Sequence, residues 1–166
     1  MIELNSKTQQ DFLNREWVEK LLDSGVDMSD AKYYIGTFTG SSEQKDYIFD
    51  KCYTKFKAVG SERILHWNTA FTNIRPTYTV SELLNKLHGY IYPTIDGKKF
   101  SGGLKLLKNA PFYTWYYELK CEQERIILID ECYIRAEAKY PIESLASLLI
   151  QCYQREIGIE KKILEI

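Results

Sequence analysis

The stretch Phe112-Tyr113-Thr114-Trp115-Tyr116-Tyr117 decides the fold class that the sequence predicts. Aromatic residues favour strands, and successive side chains of a strand point to opposite faces. Tyr113, Trp115 and Tyr117 therefore share one face, and the remaining aromatic residues share the other. One face must pack beneath a helix. We expect Tyr113, Trp115 and Tyr117 to form a binding face if theirs is exposed; the alternative is that both faces are buried.

The residues that follow extend this stretch into a hairpin. Residues 112–121 and 125–135 are two apolar segments separated by Glu122-Gln123-Glu124, a pattern that predicts two antiparallel strands. The second segment contains Ile126-Ile127-Leu128-Ile129, which is apolar on both faces. We therefore expect this strand to lie centrally in its sheet.

Three helices are predicted around the hairpin. The first has apolar residues at helical spacing and Gly25 as its stop signal. The second begins with the capping box Thr79-Val80-Ser81-Glu82, and the third begins at Pro141, a residue favoured in the first helical turn. The predicted spans are residues 8–24, 79–88 and 141–158.

The rest of the chain completes an α+β fold. These elements predict one mostly antiparallel sheet packed by two to three helices as a single pair of layers. The length of 166 residues predicts a single globular domain over residues 1–166. Strands are expected at residues 32–38 and 62–68, a loop at residues 39–42, no clear period at residues 46–58, and a polar connection rich in turn formers at residues 93–109.

Composition and charge exclude several classes of protein. The net charge of −1 gives no overall field for nucleic acid or an anionic membrane. No apolar run is long enough to cross a membrane, and the first residues do not resemble a secretion signal. We therefore expect a cytoplasmic protein with reduced thiols and no membrane partner.

No residue set in the sequence predicts catalysis, a metal site or a cofactor. His66 and His88 lack a second ligand at helical spacing, and Asp130-Glu131 are adjacent strand residues that point to opposite faces. The four cysteines contain no CxxC pair, and we expect all of them to be free core residues. A Ser101-Gly102-Gly103 loop for anion binding is a weaker alternative, because the phosphate-loop pattern is absent. We expect a non-enzymatic protein without cofactors.

A basic segment provides the alternative function. Lys98, Lys99, Lys105 and Lys108 fall within eleven residues that also hold Phe100 and no acid. Lysines of such a loop contact phosphates, and an exposed aromatic ring stacks on a base. The sequence therefore predicts, as its second hypothesis, a nucleic-acid or nucleotide binder that uses this loop.

Two stretches resemble small uncharacterised proteins encoded by phages and mobile elements of Bacteroides-like bacteria. They are Pro76-Thr77-Tyr78-Thr79-Val80-Ser81-Glu82-Leu83-Leu84 and Glu143-Ser144-Leu145-Ala146-Ser147-Leu148-Leu149-Ile150-Gln151. In that group, such a helix entry precedes aromatic strands and a late helix, a likeness that covers about residues 76–156. The resemblance implies an accessory or host-interaction protein and supplies no catalytic residues.

These observations lead to one preferred function. We expect a non-enzymatic accessory or host-interaction protein that binds a host or phage protein, or self-associates, through an aromatic sheet face. Nucleic-acid binding through the basic loop is the alternative. The sequence does not identify the partner, the oligomeric state or the role of residues 39–60.

Overall fold

The computed structural model describes residues 2–5, 7–40, 42–50, 71–95, 97–121 and 133–155. These residues contain three helices, α1 (Arg15–Asp23), α2 (Val80–Lys86) and α3 (Pro141–Arg155). They also contain ten strands, all paired antiparallel, which confirms the predicted α+β class. The strands are β1 (Ile2–Glu3), β2 (Tyr33–Phe38), β3 (Lys45–Asp50), β4 (Phe71–Thr77), β5 (Tyr90–Ile91), β6 (Thr94–Ile95), β7 (Lys98–Asn109), β8 (Phe112–Glu118), β9 (Lys120–Cys121) and β10 (Tyr133–Ala138).

The described residues form two compact units. The first holds the residues up to Thr79 except residues 24–26, which belong to the second unit together with the residues from Val80 onward. Each unit has its own antiparallel sheet. The single domain predicted for residues 1–166 stays a prediction.

The first unit packs α1 on a sheet of order β1-β3-β2-β4. Val18 and Leu21 of α1 are buried, and the ring of Phe12 meets Tyr33 of β2 edge to face at 5.1 Å. The strand predicted at residues 32–38 is confirmed as β2. Residues 39, 40 and 42 lie outside strands as predicted, and the ambiguous segment begins with β3. The remainder of that segment and the strand predicted at residues 62–68 lie outside the described residues.

The first helix is shorter than its predicted span of residues 8–24. Residues 7–11 form turns, and α1 begins at Arg15 because the Asn14 side chain accepts a hydrogen bond from the Trp17 backbone N–H at 3.1 Å. The apolar pattern does not separate a buried turn from a helix, so it placed the helix start too early. The predicted stop is confirmed, since Gly25 adopts φ +84° just beyond the helix.

Strand β4 is not predicted from the sequence. Asn73 and Pro76 are poor strand formers, and both are accommodated at irregular or edge positions. The register with β2 shifts between Ile35 and Thr37, and Asn73 adopts φ +51° at this bulge. Asparagine tolerates this left-handed conformation better than most residues.

The sheet of the second unit is a meander. Its strand order is β10-β8-β7-β5, with β6 and β9 also paired to β7. Strands β5 and β6 meet one edge of β7, while β8 and β9 meet the other. Consecutive antiparallel neighbours of this kind need only short connections. Strand β7 is therefore the central strand of this arrangement over its first half.

The long strand β7 corrects the polar connection predicted at residues 93–109. Lys98–Asn109 is continuous strand, so the predicted lysine loop and the Ser101-Gly102-Gly103 anion loop are both parts of β7. The glycines do not break the strand, because Gly102 pairs with Ile91 and Gly103 pairs with Tyr90 of β5. A Cβ atom on Gly102 would collide with the Glu118 carbonyl oxygen across the sheet.

The aromatic hairpin is confirmed for its described part. Strand β8 pairs antiparallel with β10, with Tyr133 opposite Glu118 and Ala138 opposite Tyr113. The predicted second strand at residues 125–135 therefore contributes its last residues to β10. Ile126-Ile127-Leu128-Ile129 lies outside the described residues.

The last two helices begin where the sequence predicts. Helix α2 starts at Val80 directly after Thr79, and α3 starts at Pro141. Helix α3 packs on β8, β10 and α2, and it supplies much of the core of the second unit. The core residues of α3 are Ile142, Ser144, Leu145, Ala146, Leu148, Leu149 and Cys152.

Candidate binding face

The sheet of the second unit has one side covered by α3. We call this side the helix face and the opposite side the open face. Paired residues of antiparallel strands place their side chains on the same face, so the register assigns each residue to one of the two. Trp115 identifies the helix face, because its Nε1 donates a hydrogen bond to the Pro141 carbonyl oxygen at 3.0 Å.

The three aromatic residues predicted to bind a partner lie on the helix face. Tyr117 is fully buried, and its hydroxyl donates a hydrogen bond to the His88 carbonyl oxygen. Trp115 and Tyr113 are half-buried, and Lys108 Nζ lies 5.7 Å from the centre of the Tyr113 ring. Burial takes Tyr117 out of reach of a partner. The alternation alone does not reveal which of the two aromatic faces α3 covers.

Burial also changes the ionisation of two groups where α3 packs on the sheet. It raises the pKa of the Tyr117 phenol, with a smaller contribution from the neighbouring Cys152. It raises the pKa of the Cys152 thiol to about 12, although Arg155 partly offsets the effect. Cys152 therefore stays a protonated core residue at neutral pH, a poor nucleophile. Cys121 is also buried and forms no disulfide within the described ranges, and Cys52 and Cys132 lie outside those ranges.

The five residues of the predicted basic loop divide between the two faces. Phe100 pairs with Cys121 and is buried, so it cannot stack on a base. Lys98 and Lys108 follow Phe100 in the strand alternation and lie on the helix face, at exposed positions. Lys99 and Lys105 lie on the open face, and Lys105 Nζ is 2.9 Å from a carboxylate oxygen of Glu118. This lysine lowers the pKa of Glu118 by its hydrogen bond and its charge.

The open face carries aromatic residues that the sequence hypothesis did not select. Tyr90 pairs with Gly103, whose missing side chain leaves room for the tyrosine ring. Tyr92 has its ring centre 5.1 Å from that of Tyr90. Tyr116 is half-buried on the same face, between Lys105 and Arg135 in register.

Exposed apolar side chains are concentrated in this sheet. Five of the six large hydrophobic residues exposed in the described part of the chain belong to β5, β7, β8 or the residue after β5. Their exposed fractions are Tyr90 51%, Tyr92 56%, Leu106 44%, Leu107 51% and Phe112 43%, and the sixth residue is Ile2 at 41%. Single exposed hydrophobic residues are ordinary, whereas a group of them on one sheet is typical of an interaction surface.

Leu106, Leu107 and Phe112 form what we call the hairpin end. Leu107 pairs with Thr114 and Phe112 pairs with Asn109, so Leu107 and Phe112 are diagonal neighbours on the open face. Leu106 lies on the other side of the same strand. The turn between β7 and β8 contains Ala110 and Pro111, joined by a cis peptide bond.

At the hairpin end, one edge of β7 is not paired by any strand of the described residues. The backbone N–H of Leu104 bonds to the Gly89 carbonyl oxygen at 2.8 Å, on the side where β5 lies. Alternate residues of a strand direct their backbone groups to the same side, so Leu106 and Lys108 continue this edge. Within the described ranges, no strand pairs with them there. Such an edge can accept a strand from another chain.

The first unit contains a convergent polar cluster with a structural role. Arg15 donates hydrogen bonds to the Asn73 carbonyl oxygen, to Thr37 Oγ1 at 3.0 Å and to Asp46 Oδ1 at 3.0 Å. Thr37 also donates to Asp46 at 2.8 Å. These bonds connect the start of α1 with the bulge of β4 and with β2 and β3. The Arg15 guanidinium is hydrogen-bonded to these protein groups, so it links the elements to one another.

Of His66, His88 and Asp130-Glu131, His88 lies within the described ranges. His88 follows α2 and offers its carbonyl oxygen to Tyr117, while His66 and Asp130-Glu131 lie outside the described residues. In the described ranges, no group of three or more His, Cys, Asp or Glu side chains could hold a metal ion. None of the helices described is long and apolar enough to cross a membrane.

The sequence contains only a short signal for the exposure of Tyr90 and Tyr92. In Tyr90-Ile91-Tyr92, two tyrosines alternate with a buried isoleucine, as in a strand with one exposed face, but the pattern ends at Pro93. Three residues do not establish a period. The pairing of Tyr90 with β7 defines the strand. This pairing was not predictable, because the glycines of β7 weaken its local strand preference.

Comparison with protein-family models, with curated proteins and with solved structures found no match to this chain.

Proposed function

We propose that this chain is a non-enzymatic binding protein whose protein partner docks at the hairpin end, on Leu106, Leu107 and Phe112. The carrying observation is the concentration of exposed apolar side chains on one sheet. At interfaces, an apolar centre is surrounded by a charged or polar rim. Here Lys105, Lys108 and Asn109 provide that rim, since all three are exposed beside the leucines.

The unpaired edge of β7 supports a protein partner. An extended segment of another chain can pair with the backbone of Leu106 and Lys108 while its side chains contact Leu107 and Phe112. A second copy of this chain is one such partner. The lysines at this edge disfavour indiscriminate pairing, because edge lysines oppose strand-to-strand aggregation.

The biological setting is part of the same proposal. The resemblance carried by Pro76–Leu84 and Glu143–Gln151 supports an accessory or host-interaction protein of a phage or mobile element, acting in the cytoplasm. Such a protein needs a specific surface and no catalytic centre. The hairpin end supplies a surface of this kind.

The test compares matched surface variants. The wild-type chain, a Leu107→Glu/Phe112→Glu variant and an Ile2→Glu variant are immobilised, and proteins captured from a Bacteroides-type lysate are quantified by mass spectrometry. Ile2 is a control because it is similarly exposed and lies in the first unit. Sedimentation velocity of the same three proteins measures self-association.

We expect wild type and Ile2→Glu to capture the same partner or to self-associate to the same extent. The Leu107→Glu/Phe112→Glu variant is expected to lose both the partner and the self-association. Truncating a central apolar contact typically weakens binding by about 2 kcal/mol or more. Equal capture and equal self-association by all three proteins would contradict the proposal.

A further inference from the structure

The tyrosine pair, Tyr90 and Tyr92, is a second feature of the open face, separate from the hairpin end. Both side chains are more than half exposed, yet their rings contact each other with planes at 52°. The Tyr90 ring lies over Gly103, and its hydroxyl is 3.4 Å from Ser101 Oγ. These contacts hold the tyrosine rings at defined positions while leaving ring surface accessible.

Lysines surround the tyrosine pair on the same face. Lys99 pairs with Thr94, and Lys120 pairs with Ser101, the residue that meets the Tyr90 hydroxyl. Both lysines are exposed, and neither forms a salt bridge with an acid in the described ranges. Lys105 also lies on this face, where it neutralises Glu118. The region is therefore locally positive although the chain carries a net charge of −1.

The spacing of these groups suits an extended polyanion. Lys99 and Lys105 are six residues apart on β7, a separation of about 20 Å along a strand. A row of cations with aromatic rings beside it matches a single-stranded nucleic acid, in which charged phosphates alternate with stacking bases. An acidic peptide would use the lysines but would leave the exposed tyrosine rings without a specific role.

We propose that the open face binds single-stranded nucleic acid, with Tyr90 and Tyr92 stacking on bases and Lys99, Lys105 and Lys120 contacting phosphates. Tyr90, Lys99, Lys105 and Lys120 lie on strands, and Tyr92 directly follows β5, so the site is built on the sheet. The ring at Phe100, buried on the opposite face, has no part in it. Binding is expected to be independent of sequence, because each base offers a face for stacking.

Fluorescence anisotropy with labelled oligo(dT) and oligo(rU) tests the site directly. We expect binding at low salt, weakened by about 30-fold or more by Tyr90→Ala/Tyr92→Ala through the loss of two stacking contacts. Tyr90→Phe/Tyr92→Phe keeps the rings and is expected to restore most of the affinity. Circular dichroism and thermal denaturation verify that each variant is folded.

The salt dependence of oligonucleotide binding distinguishes the lysines of the open face from those of the helix face. The charges of Lys99 and Lys120 predict a slope of about −1.4 in a plot of log affinity against log salt concentration, because Lys105 is already paired with Glu118. Lys99→Ala/Lys120→Ala is expected to make this slope shallower by about one unit or more. Lys98→Ala/Lys108→Ala is the matched control, because these two lysines lie on the helix face.

Three results would overturn the inference: no binding of either oligonucleotide at low salt, affinity unchanged in the Tyr90→Ala/Tyr92→Ala variant, or equal competition by poly-glutamate, which would indicate an acidic protein ligand. A Leu107→Ser/Phe112→Ser variant, which removes the apolar groups of the hairpin end without adding charge to the open face, is expected to bind the oligonucleotides like wild type. Loss of protein capture and loss of nucleic-acid binding are therefore separable outcomes.

Discussion

At the scale of single residues, polar groups are buried in the core where a hydrogen bond satisfies them. Tyr117 shows this best, because its ring is enclosed while its hydroxyl is satisfied by the His88 carbonyl oxygen. A buried tyrosine tolerates enclosure only when its hydroxyl finds a partner. The sequence showed an aromatic strand but could not show that this particular ring had such a partner.

The raised pKa values of Cys152 and Tyr117 predict a loss of stability in alkaline solution. The folded state keeps the protons of Cys152 and Tyr117 above the pH at which the unfolded chain releases them, about 9 and about 10. Their contribution is fully present below pH about 9 and is lost as the pH rises toward and beyond 12. In denaturant titrations, we expect Cys152→Ala to delay the onset of this loss by about one pH unit. An unchanged onset would show that the thiol is not protected in this way.

Two arginine ion pairs are expected to differ in their contribution to stability. Arg15 is half-buried and has three acceptors, whereas the Arg75–Glu19 pair at 3.2 Å is exposed. Arg15→Ala should lower the free energy of unfolding by about 1–3 kcal/mol, because it removes three charge-assisted hydrogen bonds, two of them to half-buried side chains. Arg75→Ala should cost about 0–1 kcal/mol. Urea denaturation of both variants measures the difference, and equal losses would contradict the assigned role of Arg15.

At the scale of elements, the sequence predicted those that have strong local signals. The capping box before α2, the proline of α3 and the alternation of β8 each depend on neighbouring residues, and each gave the correct element. Strand β7 depends on pairing between residues far apart in sequence. Gly102 and Gly103 weaken its local preference, so its strand character becomes visible only with its neighbours in place.

The two glycines of β7 are expected to respond differently to the same substitution. A Cβ on Gly102 would collide with backbone, whereas a Cβ on Gly103 would make an ordinary contact with the Tyr90 ring at 3.5 Å. Gly102→Ala should therefore lower the free energy of unfolding by about 1–3 kcal/mol. Gly103→Ala should have a much smaller effect. Similar thermal stabilities of the two variants would show that the backbone at residue 102 is not constrained.

At the scale of the whole molecule, the α+β class was predictable, whereas the exposure of each aromatic face was not. Fold class follows from the kinds of element present, which local patterns reveal. The exposure of a sheet face depends on which side a helix covers, and both sides of β8 are aromatic. Tyr117 is buried while Phe112 and Leu107 are exposed, which is why our proposal uses the hairpin end.

We propose that a protein partner docks at the hairpin end, along the edge of β7 that no strand of the described residues pairs. Hydrogen–deuterium exchange of the free and partner-bound chain, resolved to single amides, tests it most directly. We predict slower exchange at Leu106 and Lys108 on binding, and little change at Leu107, whose N–H already faces β8. Unchanged exchange at Leu106 and Lys108, with new protection confined to the first unit or to α3, would contradict the claim.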